Sequence, residues 1–372
     1  MDFNKRTRNI DHIAYLCLQA TVQGQASYAH VHEIIKGLER RGTHVELFQP
    51  SYANRRHAPG AFIRCLEFAR VQVRLLRGLK RFECLYIRSH FAALPIAFLA
   101  RLLGIPVVQE VNGSYDDLFA CWPWTRMASQ LFIGASRKQL EIANAIIVVA
   151  HNMGEWVEKE TGNSSWSVVP NAADVDVFHP GAIPEPGLPL PDAPYVVFFG
   201  ALSTWQGIGP LLEATERPEW PNLSLVIVGD GPLRGEVETA GKRNPRIIYL
   251  GKLPYRQVPA IVANSIASIS PQTLDGMRSV TSMSPLKVYE SMACGIPVIV
   301  TEIPGTAEIV SGANCGLVIP HKDPQAIASA VAFLFSHPEV RLELGRNGRE
   351  SAIRDHSWDH RSQSTFEILC QV

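Results

Sequence analysis

Short, nearly unbroken apolar runs that alternate with longer helical patterns constrain the fold of this chain more than any other feature. The runs are HIAYLCL, HVELFQP, CLYIRS, IPVVQEV and AIIVVA in the first half, then YVVFFG, LSLVIVG, RIIYLG, ASISP and IPVIVT. Strands that are apolar throughout and separated by helices predict parallel sheets covered on both faces. We therefore predict an α/β protein of two doubly wound domains, which face each other across a cleft and bind ligands at the carboxyl ends of their strands.

A segment dense in proline and glycine, GAIPEPGLPLPDAP at residues 181–194, interrupts this rhythm. Proline fixes φ and removes a backbone donor, so the segment predicts a linker without regular structure. The chain has 372 residues, 46% of them hydrophobic, which is enough to bury two ordinary cores. We predict an N-terminal domain over residues 1–180 and a C-terminal domain over residues 195–355.

The composition argues against a strongly charged partner and against secretion. Lysine plus arginine and aspartate plus glutamate each number 35, so no overall field attracts nucleic acid, which is not expected as a partner. The seven cysteines form no CxxC pair, which in a chain of this size favours a reducing compartment. The sequence shows no secretory signal and no uncharged run of membrane-spanning length, so we expect a cytoplasmic protein.

The stretch SPLKVYESMACG, residues 284–295, predicts a short helix that starts at the cleft. Ser284 is a suitable N-cap, Pro285 a suitable first helical residue and Gly295 a suitable stop. The free N–H groups and the positive end of the helix dipole would then receive a phosphate.

At about 100° per residue, Leu286 and Tyr289 share the apolar face of this helix, and Glu290 falls roughly 40° outside Leu286, at the edge of that face. A carboxylate at that edge requires donors, and a ribose diol would supply two hydroxyl groups. The alternative is an ordinary ion pair of Lys287 and Glu290 on a solvated face.

Two further strand–loop–helix turns, FFGALSTWQGIGPLL and VIVGDGPLRGEV, lie where phosphates and a sugar could bind. Their glycines allow the backbone to approach a ligand closely, although GDGP is equally consistent with a plain turn after a strand. Neither is a P-loop or a GxGxxG fingerprint. The candidate donor-binding residues in these turns are Gln206, Gly207, Gly229, Asp230 and Gly231.

An ordered set of segments resembles the retaining nucleotide-sugar glycosyltransferases of family four. The segments are GQASYAHV, EVNG, VVPNAADVDVFHP, FFGALSTWQG, VGDGPL, SPLKVYESMACGIPVIVTEIPGTAEIV and HSWDH. The resemblance implies a GT-B fold of two Rossmann-like domains, with a UDP- or GDP-type sugar donor held mainly by the second domain and an acceptor held by the first. It also implies metal-independent transfer with retention, and that residues 356–372 form a helix that crosses back to the N-terminal domain.

The resemblance assigns roles around the helix at 284–295. Glu290 would bind the ribose hydroxyls, and the position of the family's first glutamate holds Ser282, which would contact the transferred sugar without a charge. Two positions that are basic in many relatives hold Ala201 and Gln206, which suggests that Lys287 supplies the missing charge to the diphosphate. The donor-binding set at this helix is completed by Ser284, Pro285 and Leu286.

Two positions in the N-terminal domain are also candidates by resemblance. Gly24 lies in the loop where relatives bring donor diphosphate and acceptor together, with a tight βα turn as the alternative. Asn112 in EVNG falls where many relatives place a histidine near the transferred sugar. An amide is not a base, but front-face attack in which the departing phosphate takes the acceptor proton needs none, so Asn112 would position a sugar hydroxyl. For the neighbouring Glu110 we expect a structural role.

The histidines show no metal-ligand spacing, so we expect neither a metal nor a cofactor. The stretch RCLEFARVQVRLLRGLKRF, residues 64–82, has six basic residues against one acid. It could lie on an anionic membrane that carries a lipid-linked acceptor. The alternative is a covering helix with a solvated basic face.

The sequence thus predicts transfer of a sugar from a nucleoside diphosphate to the hydroxyl of a saccharide or lipid-linked saccharide, in polysaccharide or glycoconjugate biosynthesis. Its candidate catalytic residues are Lys287, Asn112 and Ser282. One rival is a nucleotide-sugar epimerase of the same fold, which would need acid and base groups that the sequence does not place. A second is a catalytically silent nucleotide-sugar-binding subunit, suggested by Ser282, Ala201 and Gln206.

Overall fold

The computed structural model describes residues 9–22, 26–54, 59–115, 118–119, 123–274 and 284–372. The chain divides into two compact units. Unit 1 consists of Met1–Pro170 and Asp359–Val372, and unit 2 of Asn171–Trp358. Each unit contains one parallel six-stranded sheet, which confirms the α/β prediction drawn from the apolar runs.

The sheet of unit 1 has the strand order β2-β1-β3-β4-β5-β6. Its strands are β1 (His12–Cys17), β2 (His44–Phe48), β3 (Cys84–Arg88), β4 (Val107–Val111), β5 (Ala145–Val148) and β6 (Trp166–Val168). The chain leaves β1 toward β2 and returns to β3 on the other side, with Tyr15 of β1 level with Tyr86 of β3. This reversal is a switch point, where side chains at the strand ends face an open crevice.

Helices cover the sheet of unit 1, with 3-10 turns at Leu79–Arg81, Phe91–Ala93 and Pro123–Ala128. They are α1 (Ala26–Arg40), α2 (Ala61–Leu76), α3 (Leu94–Leu102), α4 (Ser129–Glu141) and α5 (His151–Thr161). Helices α2 and α3 share one apolar core, to which Phe68 and Leu75 contribute from α2 and Ile96 and Ala100 from α3. The two helices therefore cover the same face of the sheet.

The sheet of unit 2 has the order β12-β11-β10-β7-β8-β9. Its strands are β7 (Tyr195–Phe199), β8 (Ser224–Val228), β9 (Ile247–Gly251), β10 (Ser268–Ser270), β11 (Val298–Thr301) and β12 (Gly316–Ile319). The chain builds outward from β7 through β9 and then begins again at β10 on the other side of β7. The switch point of this unit therefore lies between β7 and β10.

Two apolar clusters cover the two faces of this sheet. The helices are α6 (Ile208–Ala214), α7 (Arg234–Arg243), α8 (Val258–Ala263), α9 (Leu286–Ala293), α10 (Thr306–Gly312), α11 (Pro324–Ser336) and α12 (Pro338–Asp355), with 3-10 turns at Thr204–Gln206 and Tyr255–Gln257. Among the described residues, no helix combines the length and apolar character needed to cross a membrane.

Unit 2 begins at Asn171, before the segment 181–194 that composition marks as the linker. The backbone N–H of Asn171 donates to Ser284 Oγ at 2.9 Å, and its Nδ2 donates to the Ser284 carbonyl at 2.6 Å. Arg349 on α12 donates to the carbonyl oxygen of Phe178 at 2.9 Å. Proline density marks irregular backbone, whereas hydrogen bonds decide to which unit that backbone belongs.

The helix that follows unit 2, α13 (Trp358–Leu369), packs on α1 of unit 1. Arg41 donates from Nη1 to Asp359 Oδ1 at 3.1 Å and to Ser362 Oγ at 3.0 Å. A Cβ atom at Gly37 would lie 2.1 Å from Ser362 Oγ, so only glycine permits this approach of the helices. The segment Asp359–Val372 accordingly completes unit 1.

Candidate active site

The start of helix α9 arrives at the switch point of unit 2. Gly200 follows β7, and Pro271 follows β10, the strand on the other side of the switch. Lys287, in the first turn of α9, reaches the end of β7, because a Cβ atom built on Gly200 would lie 3.1 Å from its Nζ atom. In open parallel sheets this is the place where ligands bind.

The helix begins one residue later than the sequence predicts. Pro285 is the residue before the first helical turn, and no side chain caps that turn with a hydrogen bond. The Ser284 hydroxyl is instead held by the Asn171 N–H and lies 2.9 Å from the Tyr289 hydroxyl. The N-cap prediction for Ser284 and the first-helical-position prediction for Pro285 are therefore wrong, because the backbone of Asn171 captures the serine. Gly295 follows the helix with φ +70°, in the left-handed region expected of a stop.

Helix α9 is enclosed on all sides from Lys287 to Ala293, so the prediction of a helix with one apolar face is too narrow. Lys287 is 8% exposed and Glu290 is 7% exposed. A solvated surface pair, the alternative that the sequence allowed, is wrong for these two residues. Two buried groups of opposite charge on adjacent turns require partners, since burying an unpaired charge is costly.

The Lys287 ammonium has two close partners in unit 2. Its Nζ donates to Gln206 Oε1 at 2.6 Å and lies 4.1 Å from the centre of the Phe198 ring. Burial lowers the pKa of Lys287 from 10.5 to about 7, although Glu290 acts in the opposite direction. Neutral groups thus hold the ammonium at the switch point. A bound anion would raise the pKa of Lys287 back toward its ordinary value.

Among the described side chains, Tyr255 is the hydrogen-bond partner of the Glu290 carboxylate, and its hydroxyl donates to Oε1 at 3.1 Å. Burial raises the pKa of Glu290 to about 7, and both the Tyr255 hydroxyl and Lys287 act against that rise. An ionised carboxylate offers about four acceptor positions on its two oxygens. Glu290 therefore retains capacity to accept hydrogen bonds from a ligand.

The glycines of the two neighbouring loops have a structural cause. A Cβ atom at Gly229 would lie 1.8 Å from the Gly200 carbonyl oxygen, and φ at Gly229 is +146°. A Cβ atom at Gly207 would lie 1.7 Å from the carbonyl oxygen of Pro271, and one at Gly231 would lie 2.5 Å from that of Leu202. These glycines let the loops pack on one another, which accounts for them without a ligand.

The acidic residue of the GDGP turn, Asp230, is exposed and accepts the N–H of Gly231 through Oδ1 at 2.9 Å. Tyr249 of β9 donates to the carbonyl of Gly229 at 2.9 Å. Hydrogen bonds within the turn and from β9 thus organise it without a ligand, which is consistent with the plain-turn alternative. Its contact with a donor stays a prediction.

Glu110, at the end of β4 in unit 1, is the centre of a buried network. Its Oε2 accepts from the hydroxyls of Tyr15 and Tyr86, and its Oε1 accepts from Arg88. His30 Nε2 lies 3.0 Å from Oε1. Burial opposes ionisation of Glu110, but His30 and Arg88 outweigh it, so the pKa of this carboxyl lies well below its usual range.

Asn112 donates from Nδ2 to Glu110 Oε1 and is partly exposed. Because a carboxylate can only accept, the amide nitrogen of Asn112 must point to Glu110. The amide oxygen is therefore left on the opposite side, where it can accept a hydrogen bond. The structural role expected of Glu110 includes the orientation of this side chain.

Two predicted site residues, Gly24 and Ser282, lie outside the described residues. Sequence reasoning missed Tyr255 and Phe198, which contact Glu290 and Lys287. Tyr255 follows β9 in KLPYRQ and Phe198 lies within an apolar strand, so neither carries a local signal of its role. Asn171 lies in VVPNAADVDVFHP, one of the segments that carry the family resemblance, but its hydrogen bonds to Ser284 were not predicted. Within the described ranges, no three histidine, cysteine, aspartate or glutamate side chains come together in a way that could hold a metal ion.

Comparisons with known proteins agree with this architecture. The family of glycosyl transferases group 1 matches residues 183–351, and Glycosyltransferase Family 4 matches residues 29–177. The alpha-maltose-1-phosphate synthase of Mycolicibacterium smegmatis is 26% identical over 306 residues, which cover 74% of this chain and 75% of that protein.

Two solved structures of GT-B fold superpose on nearly the whole chain. Sucrose-phosphate synthase from Thermosynechococcus elongatus has a TM-score of 0.77 at 18% identity and covers 95% of this chain and 97% of its own. HepE of Anabaena, solved in complex with UDP, has a TM-score of 0.72 at 17% identity and covers 97% of this chain and 100% of its own. The two matched families together span most of the sequence, and the chain belongs to the group 1 glycosyltransferases, with a GT-B fold.

Proposed function

We propose that unit 2 binds a nucleoside-diphosphate sugar at the start of α9 and that the protein transfers the sugar to an acceptor hydroxyl with retention. The observation that carries this proposal is the pair of buried, oppositely charged side chains, Lys287 and Glu290, on the first two turns of one helix at a sheet switch point. A buried charge without an opposite partner destabilises a fold, and the hydrogen-bond partner of Lys287 is the neutral Gln206, which suits a site that a charged ligand completes.

Each group suits one part of such a donor. The Lys287 ammonium and the N–H groups of the first turn of α9 would face the diphosphate, because a helix start attracts anions. The Glu290 carboxylate would accept hydrogen bonds from the two ribose hydroxyls, while the Tyr255 hydroxyl, which donates to Oε1, fixes the orientation of the carboxylate. Lys287 lies one turn nearer the helix start than Glu290, which matches the order of phosphate and ribose.

Transfer breaks the bond between the sugar and the β-phosphate, and negative charge grows on the departing diphosphate. A cation that is poorly solvated before the reaction stabilises this growing charge more than it stabilises the ground state. Lys287 would serve in that way, and the departing phosphate would take the acceptor proton. Asn112 and Ser282 remain our proposed contacts to the transferred sugar, and the transfer needs no metal or cofactor.

The nucleotide is proposed to be uridine or guanosine diphosphate. HepE was solved with UDP and with UDP-glucose, and its fold is shared with this chain. We place the reaction in polysaccharide or glycoconjugate biosynthesis, with a saccharide or a lipid-linked saccharide as acceptor. A cytoplasmic setting is supported by the cysteines of the described residues, which are free thiols.

A thermal-shift panel of UDP-, GDP- and ADP-sugars tests donor binding. A true donor at 100 times its dissociation constant should stabilise the protein by about 2.7 kcal/mol. Transfer or hydrolysis of a labelled donor then separates an enzyme from a silent nucleotide-sugar-binding subunit. A donor that binds but is never cleaved, with any acceptor, would favour the silent subunit.

The Lys287→Ala variant tests the catalytic assignment, with Lys242→Ala, at an exposed lysine of helix α7, as the matched control. We expect kcat to fall by roughly 10²–10³-fold with a smaller change in donor KM, as for the loss of one transition-state donor. Gln206 contacts Lys287, so Gln206→Lys in the Lys287→Ala background should restore part of the rate. Near-normal turnover of Lys287→Ala would contradict this role.

A further inference from the structure

Helix α2 carries two apolar faces, and only one of them is buried. Phe68, Val71 and Leu75 enter the core of unit 1. A second set lies on the outer surface at alternating spacings of four and three residues, and it consists of Phe62, Leu66, Ala69, Val73 and Leu76. Phe62 is 76% exposed. Such a continuous seam is unusual on the outer side of a covering helix, where polar residues are expected.

Helix α3 extends the exposed apolar surface. Gln72 of α2 donates to the carbonyl of Ala92 at 3.0 Å and accepts the N–H of Ile96 at 3.3 Å, which places the start of α3 beside α2. Phe98 and Leu102 of α3 point outward, and Leu102 is 67% exposed. More than half of the exposed large apolar side chains in the described part of the chain lie between residues 62 and 131.

The exposed charges of α2 and of the turn after it are basic. The exposed basic residues on and after α2 are Arg70, Arg74, Arg77, Lys80 and Arg81, of which Arg81 pairs with Glu46 of β2. The only acid of the segment 64–82, Glu67, is buried and accepts from the N–H of Ser51 at 2.9 Å and from Arg70 at 2.9 Å. The surface therefore combines an apolar seam with a row of cations and presents no exposed acid of this helix.

We propose that the outer faces of α2 and α3 dock on a bilayer that contains anionic phospholipid. Apolar side chains would enter the boundary between headgroups and acyl chains, while the arginine stems lie along it and the guanidinium groups meet lipid phosphates. A second copy of the chain fits less well, because a two-fold contact would set this basic row against itself. The inference rests on the exposed surface of unit 1 alone and does not depend on sugar transfer.

Vesicle flotation tests the apolar part of the proposal, with phosphatidylcholine vesicles that either contain or lack phosphatidylglycerol. The full-length protein should bind only the anionic vesicles. The double variant Phe62→Ser/Leu66→Ser should bind them at least about ten-fold more weakly, since each exposed side chain loses its burial in the membrane. The matched control is Leu342→Ser/Ile353→Ser on helix α12, which removes two similarly exposed apolar side chains from unit 2 and should bind like the unaltered protein.

The charge contribution is tested separately with Arg77→Gln/Lys80→Gln. Each lost cation should lower the vesicle partition coefficient about five-fold, and added salt should erase the difference from the unaltered protein. Unchanged thermal melting of all variants shows that these exposed positions leave the fold intact. The proposal is overturned if the unaltered protein ignores anionic vesicles, if the Phe62→Ser/Leu66→Ser variant binds them normally, or if that variant instead dissolves a dimer seen by sedimentation.

Discussion

Replacing Lys287 by methionine should make the unliganded protein more stable while removing donor binding. Burial holds the pKa of this lysine at about 7, against an ordinary value of 10.5. By proton linkage, such a depression costs about 4 kcal/mol of folding free energy at pH 7. Methionine fills a similar volume without a charge, but it leaves the side-chain oxygen Oε1 of Gln206 without its donor, which costs about 1–3 kcal/mol. We therefore expect a net gain of about 1–3 kcal/mol for Lys287→Met at pH 7.

The dependence on pH is the sharper part of this prediction. Below pH 7 the lysine is protonated in both states, and the folding cost is complete. Between pH 7 and pH 10.5 the unfolded chain keeps a proton that the folded chain has lost, so the cost declines as the pH rises. The advantage of Lys287→Met over the unaltered protein should accordingly shrink by about 2 kcal/mol between pH 7 and pH 9.

Pulse proteolysis in urea, read out on peptides of unit 2, measures this difference at each pH. Repeating it in a Glu290→Gln background removes the titration of the neighbouring carboxyl, and Lys242→Met provides a control at an exposed lysine. A variant that is less stable at every pH, or an advantage that does not change with pH, would refute the idea that burial of this cation stores free energy for the ligand.

Four further outcomes are expected. Glu290→Ala should weaken nucleoside-diphosphate binding by roughly 1.5–3 kcal/mol in calorimetry, because charge-assisted hydrogen bonds to the ribose are lost, and equal affinity would make the residue structural. Affinity for the nucleoside alone, which lacks the phosphates that Lys287 would bind, should fall as the pH drops below 7, because burial raises the pKa of Glu290 to about 7 and the protonated group accepts less well; a flat profile down to pH 5 would count against it. Activity should survive EDTA, and an EDTA-treated enzyme that needs Mn²⁺ to recover would overturn the metal-independent proposal. Arg88→Met should destabilise unit 1 by about 3–5 kcal/mol in urea, because Glu110 is left as a buried charge with too few partners, and a loss below 1 kcal/mol would contradict the network.

The sequence was sufficient for ten of the twelve described strands, because each of those is a local apolar run. It missed the edge strands β6 and β12, which are short and only partly buried. The runs HIAYLCL and YVVFFG each predict a buried strand, and the structure has β1 and β7 there. The apolar residues of the exposed seam of α2 are also visible in the sequence. Because both faces of this helix are apolar, the sequence alone does not show which face points outward. Orientation became visible only through Phe68 and Leu75, which enter the core.

The candidate site was predictable where a motif lies within one stretch, and missed where distant segments meet. Lys287 and Glu290 share one helix and were found together, but their burial depends on strands and helices far along the chain. Tyr255 approaches Glu290 from a turn after β9, a separation that no periodicity reveals. Ser284 shows the same limit, because its preference for an N-cap loses to a backbone N–H more than one hundred residues earlier.

The distribution of unit 1 over both ends of the described chain has a consequence for the order of synthesis. Unit 2 is one continuous stretch, Asn171–Trp358, so it can fold as soon as that stretch has left the ribosome. Unit 1 lacks the side chains of Asp359 and Ser362, which Arg41 binds, until after unit 2 has emerged. The half that is translated first is therefore completed second. Meanwhile the surface around Gly37 stays uncovered, and a ribosome stalled within α12 would expose it to chaperones and proteases.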